Sequence, residues 1–240
     1  FRDYKETTIN RRIARRMVAL GIEFYEEYVE YCREHDAEVD ALYKDMMISV
    51  TRFFRDQAQF NALTKAIRGI VQDSDGRQIR VWVAGCATGE EAYSIAMLFS
   101  EAFGGLEHLS KDKLQIFATD IDTQALDVAR RGTYPLSAAN DVPRNYVEDY
   151  FQVSTDTVEV DKQLRSVVLF SRHNIIQDPP FINMDLISLR NLLIYFGASL
   201  QEKVLARMAY ALVPNGKLFL GTSETVGGMH GHFETQSLPD

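Results

Sequence analysis

An apolar run, Ile79–Ala84, leads directly into a turn of small residues, Gly85-Cys86-Ala87-Thr88-Gly89. An amphipathic stretch follows, with Ile95, Ala96, Phe99, Ala102 and Phe103 on one helical face. Strand, glycine turn and helix in immediate succession form the opening unit of a nucleotide-binding α/β sheet. Glycine lets the backbone come close to a ligand. The helix start then offers that ligand unpaired N–H groups and the positive end of a dipole. Thr88 and Glu91 also have the spacing of a capping box, with Thr88 as N-cap.

The turn lacks the common phosphate signatures. Gly85-x-x-x-Gly89 departs from the G-x-G-x-x-G of dinucleotide sites, and no Gly-Lys-Ser/Thr follows it. A nucleoside without phosphate fits better, and S-adenosylmethionine is the common one. The second apolar strand, residues 114–119, ends in Asp120. An acid at that strand tip is where a ribose diol is held in such folds. Asp120 lies 35 residues after Gly85, more than the spacing of about 20 in NAD sites. The competing role for Asp120 or Asp122 is to cap the next helix, Thr123–Arg131.

Further apolar runs at 167–171, 184–189 and 217–222 predict three more strands. Between the second and third, residues of about 136–166 break the α/β rhythm and read as a small β-rich insertion. Within it, 151–153 and 157–160 alternate like a hairpin. Arg190-Asn191-Leu192-Leu193-Ile194-Tyr195-Phe196 follows the fourth strand, where ligands bind in open α/β sheets. Ser199 and Glu202 make a second capping box before the last helix. Residues 51–240 therefore form the α/β domain.

Residues 1–50 read as a separate helical domain. Ile9, Ile13, Met17 and Leu20 share a face, and Gly21 ends the helix. A second helix over 23–34 is expected to bury Phe24, Tyr28 and Tyr31. Arg11, Arg12, Arg15 and Arg16 cluster opposite the first helix's apolar face, a positive patch on a chain of net charge −8. It is either a solvated surface or a docking face for an acidic partner.

The acidic balance argues against general nucleic-acid binding. No apolar run approaches a membrane span, and no signal peptide is visible. Cys32 and Cys86 form no disulfide framework, and neither they nor the five histidines show metal spacing. A reducing cytoplasm is the expected home. The chain begins with Phe1, which suggests a piece of a longer parent.

Four segments resemble, in order, the signatures of the CheR-type chemotaxis receptor methyltransferases. They are Thr51-Arg52-Phe53-Phe54-Arg55, Ala87-Thr88-Gly89-Glu90-Glu91-Ala92-Tyr93-Ser94, Ala118-Thr119-Asp120-Ile121-Asp122-Thr123 and the Arg190–Phe196 stretch. The resemblance implies a class I methyltransferase sheet of Rossmann-like type, with a small inserted β-subdomain and an N-terminal helical domain. It implies S-adenosylmethionine as cofactor and S-adenosylhomocysteine as product. The expected substrates are glutamates on the cytoplasmic helices of chemoreceptors. By match, ligand contacts are expected at Ser49, Thr51, Arg55, Glu91, Asp120, Asn174, Ile175, Leu189 and Arg190. Gly85 and Ala87 of the turn join them, and Ser49 stands where the family carries asparagine. Arg190 and Tyr195 are the candidates to hold the substrate carboxylate or the cofactor, with Arg55 and Glu91 suited to the cofactor's amino-acid end. A non-catalytic module that binds the same cofactor in a larger signalling protein is the alternative reading.

Overall fold

The computed structural model describes residues 4–47, 51–227 and 231–234. Three helices come first: α1 (Glu6–Leu20), α2 (Tyr25–Glu34) and α3 (Asp36–Met46). Gly21 closes α1 at φ +70°, the left-handed position where a Cβ is disfavoured. Ile9, Ile13, Met17 and Leu20 are half-buried, and α1 packs on α3. The second helix starts two residues later than the sequence predicts. Phe24 precedes it and is 66% exposed, while Tyr28 is buried as expected and Tyr31 stacks on His35.

The α/β part follows as α4 (Gln57–Asp73), β1 (Ile79–Ala84), α5 (Glu90–Phe103), β2 (Leu114–Asp120) and α6 (Thr123–Arg131). Next come β3 (Thr133–Pro135), α7 (Arg144–Tyr150), β4 (Phe151–Val153), β5 (Thr157–Val160) and α8 (Lys162–Ser166). The chain then returns through β6 (Val168–Arg172), β7 (Met184–Leu189), α9 (Ala198–Ala211) and β8 (Leu212–Leu220). The main sheet has the order β6-β2-β1-β7-β8, and all its pairings are parallel. Such a sheet is covered on both faces, and β7 is accordingly buried along its whole length. Phe60, Leu63, Ile67 and Ile70 of α4 join α5 and α6 over one face. Val204, Leu205 and Met208 of α9 pack with Trp82 over the other.

Strand order reverses beside β1, whose neighbours are β2 and β7. A crevice opens at the C-terminal ends of strands at such a switch point. The glycine turn leaves β1 there, and the Arg190–Phe196 stretch leaves β7 there. The inserted strands form a small antiparallel sheet, β3-β5-β4. Tyr134 ties it to the glycine turn, its hydroxyl donating to the Thr88 carbonyl at 2.7 Å.

Both predicted capping boxes fail, for local reasons. Gly89, at φ +96°, is the N-cap of α5, and the Thr88 hydroxyl instead donates to Glu90 at 2.6 Å. A Cβ on Gly89 would stand 2.8 Å from the Ala129 Cβ, so the close approach of α6 demands glycine. Helix α9 starts at Ala198 after Gly197, which leaves Ser199 inside the first turn. Asp122 does cap α6, accepting from the N–H groups of Gln124 and Ala125. The last strand begins five residues before the predicted one. Leu212 pairs with Met184 and Lys217 with Leu186, so Pro214-Asn215-Gly216 is a bulge inside the strand.

Candidate functional site

Asp120 stands at the tip of β2 and holds the glycine turn. One carboxylate oxygen accepts the Ala87 N–H at 2.8 Å and the other accepts the Asp122 N–H at 2.9 Å. Gly85 at φ +74° and Ala87 at φ +46° give the turn its shape, and both Gly85 and Cys86 donate backbone N–H groups to Thr119. Burial raises the Asp120 carboxyl above its ordinary range, opposed by the N–H groups of Asp122, Ala87 and Ile121. The ion-rich centre of the crevice lies beside it. Glu91, in the first turn of α5, accepts from the Ser188 hydroxyl at 2.6 Å and from Arg190 at 2.9 Å. Burial raises Glu91 as well, against the lowering effect of Arg190 and Ser188.

Arg190 is engaged inside the protein. Its side chain has no exposure to solvent. One terminal nitrogen donates to Glu91, and the other reaches the Arg55 carbonyl, Asp56 and Gln59, each at 2.9 Å. The guanidinium lies between the rings of Phe60 and Phe219, 5.2 and 4.9 Å from their centroids. Arg190 is thus a clasp joining β7, α4, α5 and the 51–56 segment, and its buried Nε makes no hydrogen bond to the described residues. The strain it secures is visible in Phe54 at φ +47° and Asp56 at φ +65°. A positive φ is unusual for a residue as bulky as phenylalanine.

Tyr195 ends a short 3-10 turn, half-buried, with its carbonyl accepting the Lys5 N–H at 2.9 Å. Asn174 and Ile175 lie in the loop after β6. The Asn174 side-chain oxygen accepts the Ile176 N–H, and Ile175 packs against the Trp82 core. Leu189 is fully buried, so only its backbone can face a ligand. Thr51 and Arg55 are half-buried in the segment leading to α4. Ser49 lies outside the described residues. The four arginines of α1 do not form one free face. Arg16 is held by Glu38 through two hydrogen bonds, Arg15 stands 3.8 Å from Asp45, and Arg11 is exposed. Arg12 is half-buried.

One residue of the site was missed from the sequence. Glu224 accepts the backbone N–H groups of Asn191, Leu192, Leu193 and Gly221, each at 2.8 Å, and so fixes the loop that carries Tyr195. It lies 33 residues beyond Asn191, and an acid followed by a glycine-rich stretch gives no local sign of such a task. A groove of about 790 Å³ lies at the opposite end of the strands, beside Lys65, Arg77, Asp185 and Asn215, away from Asp120.

Comparison with known proteins places this geometry. Residues 49–240 match the family described as CheR methyltransferase, SAM binding domain, and residues 1–47 match its all-alpha domain. The chain belongs to the CheR methyltransferase family. It is 32% identical to the chemotaxis protein methyltransferase of Salmonella typhimurium over 238 residues, covering 95% of this chain and 78% of that protein. The Escherichia coli protein of the same name is 30% identical over 242 residues, 96% of this chain and 80% of that one. A Rhodobacter capsulatus protein known as an uncharacterized 104.1 kDa protein in the hypE 3' region is 39% identical over 240 residues. The chain spans 99% of itself but only 25% of that relative.

S-adenosylmethionine is the cofactor of this CheR domain, and the residues present fit it. A carboxylate has about four acceptor sites. The backbone N–H groups of Ala87, Asp122 and Ile121 leave Asp120 with capacity for a hydroxyl donor. Asp120 thus offers an acceptor at the strand tip, and the turn carries no phosphate-binding lysine.

Proposed function

We propose that this CheR chain transfers the methyl group of S-adenosylmethionine to glutamate side chains on chemoreceptor cytoplasmic helices. The reading is supported by Asp120 at the tip of β2, Glu91 at the start of α5 and the Tyr195 loop after β7, under the two CheR family matches. Asp120 would hold the ribose, and Glu91 would face the ammonium of the amino-acid end. When bound, the cofactor supplies a methyl group on a cationic sulfur, an electrophile that an anion attacks directly. A glutamate acceptor has an ordinary pKa of about 4.3 and is ionised at neutral pH. The chain therefore needs no general base, and its work is positioning. Tyr195 is the residue proposed to orient the acceptor carboxylate, on a loop fixed by Glu224 and by Lys5.

Calorimetry with S-adenosylhomocysteine, paired with methyl transfer from labelled cofactor to a receptor cytoplasmic fragment, tests this. Asp120→Ala should weaken binding by about tenfold or more, as expected for a hydrogen bond to a charged group. Tyr195→Phe should lower transfer while binding and melting stay unchanged. Tight binding by the wild type without transfer to any receptor fragment would favour the cofactor-sensing alternative.

The acidic helices of the receptor would dock on the exposed end of the α1 arginine row. Arg11 and Arg15 are the exposed members, so Arg11→Glu with Arg15→Glu should raise the Michaelis constant for receptor. Cofactor affinity should not move. Exposed charges are screened over about 8 Å at physiological salt, so the wild-type constant should rise with salt more than the variant's does. Normal receptor kinetics in the double variant at low salt would leave the row a solvated face.

A further inference from the structure

The inserted sheet β3-β5-β4 reaches the glycine turn through one side chain. Tyr134 of β3 is 3% exposed, and its hydroxyl donates to the Thr88 carbonyl at 2.7 Å. Its ring packs edge-on against Phe53, with centroids 5.0 Å apart, and against Tyr93. Burial raises the phenol well above its ordinary range, so it remains a donor at neutral pH. One residue before Thr88, the Ala87 N–H donates to the Asp120 carboxylate. Helix α6 lies between these two side chains in sequence. Asp120 precedes it, and Tyr134 follows Gly132, the residue that closes it. Ala129 of the same helix stands so close to Gly89 that no Cβ fits there. The turn is thus gripped at neighbouring residues from both ends of one helix. It needs that grip, because Ala87 sits at φ +46°, a region alanine seldom occupies. The Thr88 hydroxyl is itself taken by Glu90 at 2.6 Å.

We propose that Tyr134 is a positioning residue for cofactor binding: through the Thr88 carbonyl, the inserted sheet holds the glycine turn in the shape that receives S-adenosylmethionine. The proposal rests on the assignment of the turn and Asp120 to the cofactor. Tyr134 acts through the turn, with its own ring packed among aromatic neighbours. Without its hydroxyl the Thr88 carbonyl loses that donor, and the strained turn spends part of its time in other shapes. Apparent affinity then falls with the fraction of molecules that keep the competent one. Tyr150 supplies a matched control. It is buried on α7 of the same insertion, and its hydroxyl donates at 2.6 Å to Glu101, at the end of α5 away from the turn.

The intact chain carrying Tyr134→Phe, Tyr150→Phe or Asp120→Ala tests it by calorimetry with S-adenosylhomocysteine well below the melting temperature, by melting curves and by steady-state kinetics. Tyr134→Phe, which keeps the ring packing, should weaken binding about fivefold, in the range of one neutral hydrogen bond. The Michaelis constant for S-adenosylmethionine should rise in step while kcat at saturation stays within about twofold, the pattern of lost uniform binding. Tyr150→Phe should lower the melting temperature at least as much and bind like the wild type. Equal weakening in the two tyrosine variants would reduce Tyr134 to general support of the insertion and sink the proposal. Wild-type affinity in Tyr134→Phe beside a weakened Asp120→Ala would overturn the Tyr134 assignment and leave the site. Wild-type affinity in both would overturn the site reading too.

Discussion

Two arginine–glutamate clusters hold this molecule together, and they behave in opposite ways. In the helical domain, Arg16 of α1 grips Glu38 of α3, and the Tyr28 hydroxyl donates to the same carboxylate at 2.8 Å. The Arg16 hydrogen bonds outweigh burial there, and the Glu38 carboxyl lies below its ordinary range. In the α/β domain, Arg190 grips Glu91, yet burial outweighs the arginine, and Glu91 lies above its range. The grips differ: Arg16 binds both Glu38 oxygens, whereas Arg190 gives Glu91 one hydrogen bond and turns its other nitrogen to Arg55, Asp56 and Gln59. The Arg16 side chain also keeps 23% exposure while that of Arg190 is fully buried. An arginine–glutamate pair can thus leave the carboxyl below or above its ordinary range, depending on how many bonds the carboxylate receives and how far it is desolvated.

The largest effect should come from the buried cluster. Arg190→Met leaves Glu91 and Asp56 without their partner, and breaking a buried pair costs about 3–5 kcal/mol. Urea unfolding measures this. A loss of less than about 1 kcal/mol, the range of exposed pairs, with abolished cofactor binding, would make Arg190 a ligand contact in place of a clasp.

Arg16→Ala should cost less, about 1–3 kcal/mol for a carboxylate left partly satisfied by Tyr28. Cofactor affinity should be untouched. Arg16→Lys should recover only part of the loss, because an ammonium cannot match the two-pronged grip. Equal losses in Arg16→Ala and Arg190→Met would erase the distinction drawn from burial.

The smallest effect is in pH dependence, and it separates the clusters by sign. Glu38, with its folded pKa depressed, contributes stability that is complete above the ordinary glutamate value of about 4.3 and is lost as pH falls through the folded value. Glu91, with its folded pKa raised, contributes in the other direction. Its stabilising share is complete below about 4.3 and is lost as pH rises through the folded value. Asp120 and Glu90 are raised by burial and act with Glu91. Urea midpoints against pH should therefore show Glu38→Gln removing part of the loss in strong acid. Glu91→Gln should remove part of the gain on mild acidification. The same pH slope in both variants would contradict the assignment.

The parts of this fold that were legible were those coded locally. The apolar runs of β1, β2 and β7 located the sheet because buried parallel strands leave little choice of residue. The position of Asp120 at the tip of β2 was legible because a strand tip followed by a helix cap is a short-range pattern. What escaped depends on partners far along the chain. The sequence of α1 shows a row of arginines but not that Glu38, 22 residues after Arg16, takes one of them inward. The sequence of the Arg190 stretch does not show that Asp56 and Gln59 reach its guanidinium from more than 130 residues away. Thr88 and Glu91 have the capping-box spacing, yet Gly89 starts the helix because α6 leaves no room for a Cβ. Phe24 was assigned to a core that three short helices are too small to extend over it.

The Glu224 carboxylate has a consequence for selectivity. The consecutive N–H groups of Asn191, Leu192 and Leu193 form a concave receptor for negative charge of the kind that captures anions elsewhere. Left empty, it would attract any passing anion. Glu224 plugs that receptor from within, as a tethered competitor present at fixed stoichiometry.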